Sequence, residues 1–333
     1  MQKISVNEFS RELMKIDNIL ILIHSHPDGD AAGSGLALLN VLLKLGKKAC
    51  LSCSDELPER LCFLKKYADF SKCFFACPPK TAPEYIITTD VASGTLLGGN
   101  FEAYGDRIFL AIDHHNVNTL QCGKMLLDSN ASSAGEILYH VIRYLENETG
   151  KKLIDADTAS LIYTSICSDS GSFKYSNTSS TTFRIAADLL EEGAESEKIS
   201  RLLFDVKTLE QMRAENICFN NISLFCENKI AFCYIKRDVM KKYGISDADT
   251  ENVVNIARQI KGVEIALFAR QKNCGENEKE EYKVSARSNE YADVSQLCRA
   301  FGGGGHIKAA GCTIAGNLEE VKDKLISEAE KYI

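Results

Sequence analysis

The sequence ILILIHSHPDGDAAGSG, residues 19–35, decides the fold. It begins with a continuous apolar run that ends at His24, and such a run is typical of a strand buried on both faces of a parallel sheet. A Gly-Ser-Gly triplet then leads into LALLNVLLKLG, whose apolar spacing and final Gly46 indicate a helix with a glycine stop. A buried strand followed by a helix is the basic unit of an α/β domain.

The same alternation of strands and helices continues along the chain. The segments KKACLSC, EYIITTD and DRIFLAID have the composition of further strands. Residues 133–148 and 155–168 have helical periodicity. We therefore predict an α/β fold with a doubly wound, mostly parallel sheet.

The length of the chain indicates two domains, because 333 residues exceed one ordinary core. We assign residues 1–186 to the first domain and 187–216, which are nearly all helical in pattern, to a helical linker. Residues 217–333 form a smaller α/β domain, with predicted strands KIAFCYIK, VEIALFAR and EYKVSARS and predicted helices at 250–259 and 294–301.

Composition and charge exclude several classes of protein. The net charge of −7 argues against a surface for long duplex nucleic acid, which usually needs a basic stripe. No stretch is apolar enough to cross a bilayer, and the N-terminus lacks a signal-peptide core. We expect a cytoplasmic protein with no membrane partner.

The thirteen cysteines are scattered and odd in number, which does not fit a disulfide framework. Cys50 and Cys53, followed by Cys73 and Cys77, raise the alternative of a zinc ribbon. On a strand, however, the spacing of Cys50 and Cys53 turns their side chains to opposite faces. We favour small buried core residues for these positions.

Metal-capable side chains follow three successive predicted strands. His24 with Asp28 and Asp30 follows the first, Asp90 ends the next, and Asp113 precedes His114 and His115 at the end of the third, whereas Asp169 follows a helix. Ligands of open α/β sheets bind beyond the carboxyl ends of the strands. We expect these groups to hold two divalent cations that activate a water and stabilise charge on a phosphoryl group.

The ligand types favour Mn²⁺, with Mg²⁺ or Co²⁺ as alternatives, because Asp and His are present and cysteine is not. Each residue also has an ordinary structural interpretation when taken alone. Asp28-Gly29-Asp30 could be a turn, Asp90 a helix cap, and the paired histidines a structural cluster. Their joint placement at one sheet edge favours the metal site.

These segments resemble the motifs of the DHH phosphoesterase superfamily: HSHPDGDAAGS (24–34), TTD ending at Asp90, DHH (113–115) and CSDSGSFKYSNT (167–178). VSARS (284–288) and FGGGGHIKAAG (301–311) resemble the DHH-associated domain that accompanies it. The resemblance covers essentially the whole chain and is greatest to bacterial oligoribonucleases, or nanoRNases, that also dephosphorylate 3′-phosphoadenosine 5′-phosphate. It implies that residues 1–186 are the catalytic domain and 217–333 the substrate-binding domain.

The resemblance also implies roles for single residues. His24, Asp28 and Asp90, with Asp169, would hold the first metal. Asp30, Asp90 and His114 would hold the second, so Asp90 would bridge the two, and Asp169 could be shared. His115 would face the substrate phosphate, and Asp113 would orient a neighbouring histidine.

The four consecutive glycines before His306 have two interpretations. They could be a flexible hinge, or their N–H groups could cradle an anion. The family pattern favours the second, with Gly303, Gly304, Gly305 and Ser285 around the substrate and Arg287 and His306 in charge-assisted contact with its terminal phosphate. The alternative is a surface arginine and a capping histidine.

The function expected from this resemblance is two-metal hydrolysis of short oligoribonucleotides, 3′-phosphoadenosine 5′-phosphate, or both. The second domain would bind the far end of the nucleotide and limit its length. A phosphodiesterase for cyclic di-AMP or for the linear dinucleotide pApA would share the same residues. A non-catalytic nucleotide-binding regulator is the alternative of another class, although no expected ligand is missing. The resemblance also suggests a homodimer.

Overall fold

The computed structural model describes residues 2–77, 82–272 and 279–333, apart from the side chain of His306. The chain divides into two compact units, Met1–Val206 and Lys207–Ile333. The elements of the first unit are, in chain order, β1 (Gln2–Lys3), α1 (Val6–Lys15), β2 (Ile19–Leu22), α2 (Gly29–Lys44), β3 (Ala49–Cys53), β4 (Cys73–Phe75), β5 (Tyr85–Thr89), α3 (Asn100–Tyr104), β6 (Ile108–Asp113), β7 (Lys124–Leu127), α4 (Ala134–Thr149), α5 (Ala156–Asp169), α6 (Ser180–Glu191) and α7 (Ser196–Ser200).

The strands of the first unit form one parallel sheet. Within the described residues the sheet has seven strands in the order β1-β7-β6-β5-β2-β3-β4, and every pairing is parallel. This confirms the predicted fold class. The strand order reverses between β2 and β5, since the chain runs outward from β2 to β3 and β4 and then returns to the other side. Open α/β sheets bind their ligands at such a switch point.

Helix α2 begins earlier than the sequence pattern suggested, at Gly29 rather than after Gly35. Asp28 has extended backbone and caps the helix, since its carboxylate accepts the backbone N–H groups of Asp30 and Ala31, each at 3.0 Å. An acidic cap satisfies donors that the first turn leaves unpaired and also complements the helix dipole. The cap therefore brings Asp30 into the first turn of a buried helix.

Helices α2 and α5 pack closely because glycine occupies the contact. A Cβ built on Gly33 would lie 2.6 Å from the carbonyl oxygen of Leu161 and 2.9 Å from the backbone nitrogen of Ser165. Both neighbours are backbone atoms that cannot rotate away. The close approach brings the start of α2, with Asp30, next to the end of α5, with Asp169.

The cysteine pair of β3 is divided between the two faces of the sheet. Cys53 is buried in the core that includes α2 and α5, whereas Cys50 packs against the smaller core on the opposite face. Cys73 lies on the neighbouring strand β4, opposite Leu51. Each of these three side chains thus packs as a small apolar residue of the sheet.

The second unit is a mixed sheet with helices. Its elements are α8 (Leu209–Asn220), β8 (Ser223–Phe225), β9 (Ile230–Ile235), α9 (Arg237–Tyr243), α10 (Val254–Arg258), β10 (Ile265–Gln271), β11 (Glu281–Ser288), α11 (Val294–Arg299), β12 (Gly304–His306), β13 (Ala309–Ala315) and α12 (Leu318–Ala329). In the described part, six strands follow the order β12-β13-β11-β10-β9-β8. Only β9 and β10 pair in parallel there.

The structure divides residues 187–216 differently from the helical linker that the sequence indicated. Leu189 and Ile199 are buried in the core of the first unit. Ala214 and Cys218, on α8, are buried in the core of the second. The boundary lies at Val206, and the helices on either side belong to the units they pack against. Among the described residues, none of the helices has the length and apolar character that crossing a bilayer requires.

Gly33→Ala should destabilise the first unit. Alanine in a helix is ordinarily favoured by up to about 1 kcal/mol over glycine, but the added methyl would press on the backbone of α5. We expect a net loss of about 1–3 kcal/mol, the range typical of overpacking. Urea unfolding followed by circular dichroism measures it.

Gly99→Ala is the matched control, since a Cβ there would meet its nearest neighbour only at 3.9 Å. Equal unfolding midpoints for the two variants would contradict the close packing of α2 on α5.

Candidate metal centre

The candidate centre lies at the carboxyl edge of the parallel sheet. Strands β6, β5 and β2 are neighbours in the sheet, and the predicted ligands follow their last residues. His24 follows β2, Asp90 follows β5, and His114 follows β6. Because parallel strands end at the same edge, residues far apart in sequence meet there.

Asp90 is the residue shared by the two halves of the site. Its carboxylate is 3% exposed, with Oδ2 3.5 Å from His24 Nε2 and Oδ1 3.6 Å from His114 Nε2. Its backbone is left-handed, with φ +59°, and its N–H donates to the carbonyl of Ile112 at 3.0 Å. This uncommon conformation for a residue with a side chain turns the carboxylate between two imidazoles.

The first half of the site consists of His24, Asp28 and Asp90. One ligand atom from each lies within 4.8 Å of the others. His24 Nδ1 lies 2.7 Å from the carbonyl oxygen of Ser25. Nδ1 must therefore carry a proton and donate it there, so Nε2 is the ring nitrogen that would be available to a cation. Asp28 combines the capping of α2 with a place in this group.

The second half consists of Asp30, His114 and Asp169, whose ligand atoms are also within 4.8 Å of one another. His114 Nε2 lies 3.5 Å from Asp30 Oδ2 and 3.2 Å from Asp169 Oδ2. The sequence assigned Asp169 to the first set and left open that it is shared. The structure groups it with Asp30 and His114.

Asp30 is fixed by hydrogen bonds from the start of helix α4. The helix was predicted from the sequence, but its contact with Asp30 was not. The backbone N–H groups of Ala134 and Gly135 donate to its carboxylate at 2.7 and 3.2 Å, and the hydroxyl of Ser165 donates at 2.5 Å. The side chain is fully buried. The positive end of α4 thus offsets part of the cost of burying this charge. The partners are more than 100 positions away in sequence, so no local pattern indicates them.

Electrostatics shows that the site has an excess of negative charge. Burial raises the pKa of Asp169 to about 6; the contact with His114 opposes this shift, whereas the nearby carboxylates of Asp28 and Asp90 add to it. Burial also raises the pKa of Asp30, helped by Asp90 and Asp169. Carboxylates crowded in this way favour any positive charge placed among them.

The pKa values of two histidines are raised as well, but here the neighbouring carboxylates are the cause and burial opposes them. Burial alone would lower the pKa of His24, but its contacts with Asp28 and Asp90 outweigh burial and raise it to about 11. Likewise, the neighbouring Asp169 and Asp30 outweigh burial at His114 and raise its pKa to about 10. In the absence of a cation, protons on the imidazoles would compensate the carboxylates.

The donor set fits divalent cations. Among the described residues, Asp90 Oδ1 and His114 Nε2 are buried atoms without a hydrogen-bond partner. They are 3.6 Å apart, too far for a hydrogen bond. Two donors each about 2.1 Å from one ion, the distance usual for Mg²⁺ with oxygen or Zn²⁺ with nitrogen, lie about 3 Å or more apart. In the groups described, the donors are carboxylate oxygens and imidazole nitrogens, with no cysteine.

His115 falls in a third such group, with Asp90 and His114, but its hydrogen bonding differs from theirs. Its Nδ1 lies 2.8 Å from Asp113 Oδ1, closer than the 3.6 Å to Asp90 Oδ1. Asp113 is fully buried and also accepts from the side chain of Asn118 at 2.6 Å. Because Nδ1 is engaged by Asp113, it is poorly placed to serve as a ligand, and the ring is held for another role.

The expected substrate residues of the second unit lie on β11 and on or beside β12, the two strands that flank β13 in the sheet. Ser285 and Arg287 occupy alternate positions of β11 and so share one face of the sheet, opposite Gly311 and Ala309 of β13. Arg287 is partly buried and its Nη1 donates to the carbonyl of Ala286 at 3.0 Å.

Part of the glycine run forms an edge strand of the sheet. Gly302 and Gly305 have φ +74° and +143°. A Cβ on Gly303 would lie 2.2 Å from the carbonyl oxygen of Gly311. Gly304 and Gly305 pair with β13 as the edge strand β12, which extends to His306. The side chain of His306, predicted to contact the substrate, lies outside the described part of the chain.

Comparisons with known proteins agree with this architecture. Residues 18–166 match the DHH family, N-terminal domain, and residues 227–333 match the DHHA1 domain. The solved structure of an exopolyphosphatase-related protein from Bacteroides fragilis superposes with a TM-score of 0.89. It is 22% identical and the match covers 98% of this chain and 96% of that one, so it shows a common fold.

Curated relatives are similar over almost their whole length. The bifunctional oligoribonuclease and PAP phosphatase NrnA of Bacillus subtilis is 26% identical, over 92% of this chain and 92% of that protein. The protein of the same name from Thermus thermophilus is 26% identical, over 95% and 90%. With both domains matched in order, the chain carries a DHH-family N-terminal domain followed by a DHHA1 domain.

Proposed function

We propose that this protein is a phosphoesterase that uses two divalent cations, Mn²⁺ by preference, to hydrolyse short oligoribonucleotides and 3′-phosphoadenosine 5′-phosphate. The observation that carries the proposal is the position of Asp90 between two groups of acids and imidazoles. The names of the relatives from B. subtilis and T. thermophilus support the choice of substrates.

The two groups would each hold one cation. His24, Asp28 and Asp90 would bind the first, and Asp30, Asp90, His114 and Asp169 the second. When bound, the cations would act as Lewis acids that activate a water and neutralise charge on the phosphoryl group. The protein holds their ligands in place through the cap of α2 and the start of α4, so that little reorganisation accompanies binding.

His115 and Asp113 would act on the substrate rather than on the cations. Asp113 accepts the Nδ1–H of His115, which fixes the ring and stabilises its protonated form. The pKa of His115 is raised, with the contact to Asp113 the main cause. A protonated imidazole in this position would donate to a phosphoryl oxygen and stabilise the charge that develops there.

The second unit would bind the nucleotide through its DHHA1 domain. Arg287, Ser285 and the backbone N–H groups of residues 303–305 would contact the terminal phosphate, with His306 adding a further donor. Glycine permits the close backbone approach that such anion sites need. This contact would favour substrates that carry a terminal phosphate over internal positions of a long chain.

Asp90→Asn should abolish tight binding of the cations, since it removes the charge that both groups share. Calorimetric titration with Mn²⁺ should show two bound ions in the wild type and a loss of at least one, with the other weakened. The rise in melting temperature on adding Mn²⁺ should shrink accordingly, because a ligand at 100 times its Kd stabilises by about 2.7 kcal/mol.

Asp106→Asn is a suitable control, since Asp106 is an exposed acid of the first unit outside these groups. Unchanged Mn²⁺ binding by Asp90→Asn would refute the shared carboxylate.

A panel of substrates tests the activity itself. With Mn²⁺, the wild type should release mononucleotide from RNA of two and five nucleotides faster than from RNA of twenty, and phosphate from 3′-phosphoadenosine 5′-phosphate. Asp90→Ala should lower every rate by at least about a thousandfold if both cations are lost. Chelation of the metal should do the same.

The panel also includes pApA, cyclic di-AMP and pyrophosphate. A clear preference for cyclic di-AMP would replace the proposed substrate, and equal rates on the three RNA lengths would contradict the length limit. Binding of nucleotides without any hydrolysis would indicate a regulator instead.

Arg287→Ala should weaken substrate binding while leaving the chemical step nearly intact. We expect KM to rise roughly tenfold to a hundredfold, since a charge-assisted bidentate contact contributes about 1.5–3 kcal/mol, and kcat to change little. Steady-state kinetics on pApA separates the two. Arg299→Ala, an exposed arginine at the end of α11, is the control. A fall in kcat with unchanged KM would contradict the binding role.

A further inference from the structure

The segment that follows Asp169 has an unusual backbone. Gly171, Ser172 and Phe173 are consecutive left-handed residues, with φ +57°, +57° and +63°. This region is costly for residues with a side chain, and it normally occurs at single positions. A run of this kind persists only where its surroundings impose it, and such strain is concentrated at functional sites.

Contacts on both sides hold this turn in place. The carbonyl of Ser170 accepts the N–H groups of Lys174 and Tyr175 at 2.9 and 3.0 Å. The ring of Phe173 stacks on Phe183 with centroids 5.4 Å apart. These contacts fix the middle of the turn against the first unit.

The far end of the turn returns to Asp169. The side-chain amide of Asn177 donates to the carbonyl of Asp169 at 3.1 Å and to that of Ser132 at 3.0 Å. Both ends of the turn are thus tied to the residue that supplies a candidate metal ligand.

Tyr175 projects from this turn with one face of its ring covered. A Cβ built on Gly171 would lie 2.4 Å from Cε2 and Cζ and 2.7 Å from Cε1 of the ring. Similar distances to both ring edges mean that Gly171 lies over the face of the ring, not at its rim. The tyrosine is nevertheless 49% exposed, so solvent reaches the rest of the ring.

The ring of Tyr175 is close to the candidate metal centre. Gly171 is two residues from Asp169, so their Cα atoms are at most about 7 Å apart. A ring lying on Gly171 is therefore part of the same short turn as Asp169 and lies in the neighbourhood of its carboxylate.

We propose that Tyr175 is a stacking platform for the nucleobase next to the phosphate held at this centre. The inference rests on the proposed function and adds a specificity residue to it. Aromatic stacking tolerates every base, because each has a π face. The platform would thus select nucleotides over other phosphate esters without selecting a sequence.

Kinetics on full and abasic substrates tests the platform. The substrates are pApA and two analogues that each lack one base. Tyr175→Ala should raise KM for pApA by about 5-fold to 150-fold, the range that one stacked base supplies, with kcat little changed. Tyr175→Phe should behave like the wild type. For the analogue that lacks the stacked base, wild type and Tyr175→Ala should have the same KM, because no base remains to contact the ring.

A second measurement does not depend on turnover. The sequence contains no tryptophan, so Tyr175→Trp places a single indole at the platform. In the Mn²⁺-loaded protein, adenosine 5′-monophosphate should quench its fluorescence and ribose 5-phosphate should not. Tyr243→Trp, at a partly exposed tyrosine of the second unit, is the control and should not respond to either.

The outcomes separate the two proposals. Hydrolysis of pApA by the wild type, with no increase in KM for Tyr175→Ala, would overturn the platform alone. So would equal increases for pApA and both abasic analogues, which would indicate a distorted turn. No hydrolysis of any substrate by the wild type would overturn the proposed function. Even if no substrate were hydrolysed, equal quenching of Tyr175→Trp by adenosine 5′-monophosphate and ribose 5-phosphate would contradict stacking of the base.

Discussion

Mutual repulsion between buried carboxylates is the constraint on which this structure depends. Asp30 and Asp90 are almost completely inaccessible to water, and Asp169 lies beside them. Bringing such groups together is unfavourable unless positive charge is placed among them. The raised pKa values of Asp30 and Asp169 express that cost, and so do the raised values of His24 and His114. Much of the local architecture counteracts it.

Backbone N–H groups, polar side chains and helix packing all stabilise the buried carboxylates. The start of α4 directs two N–H groups at Asp30, and Ser165 adds a hydroxyl. Asn118 supports Asp113 in a similar way. Close packing of α2 on α5 then holds Asp30 and Asp169 at a fixed separation. A site assembled on a buried sheet edge and two helix ends is more rigid than one carried by loops.

The sequence predicted the parts of this arrangement that have local causes. Apolar runs that end in a histidine or an aspartate located β2, β5 and β6, and the sheet topology then brings their ends together. The contacts of Asp30 with α4 had no such signal, because they join residues more than 100 positions apart. The start of α2 was placed too late because the capping role of Asp28 depends on its extended backbone, and the sequence does not reveal that conformation. The linker was drawn from helical pattern alone, which does not reveal the core that each helix joins.

Asp28 combines two tasks that are usually assigned to different residues. The oxygen that caps α2, Oδ1, lies 3.7 Å from His24 Nε2. Binding of a cation at the centre would therefore be coupled to the integrity of a helix end, and the helix would carry that change into the core of the first unit. In a chain built this way, occupancy of the centre and resistance of α2 to fraying or proteolysis would vary together.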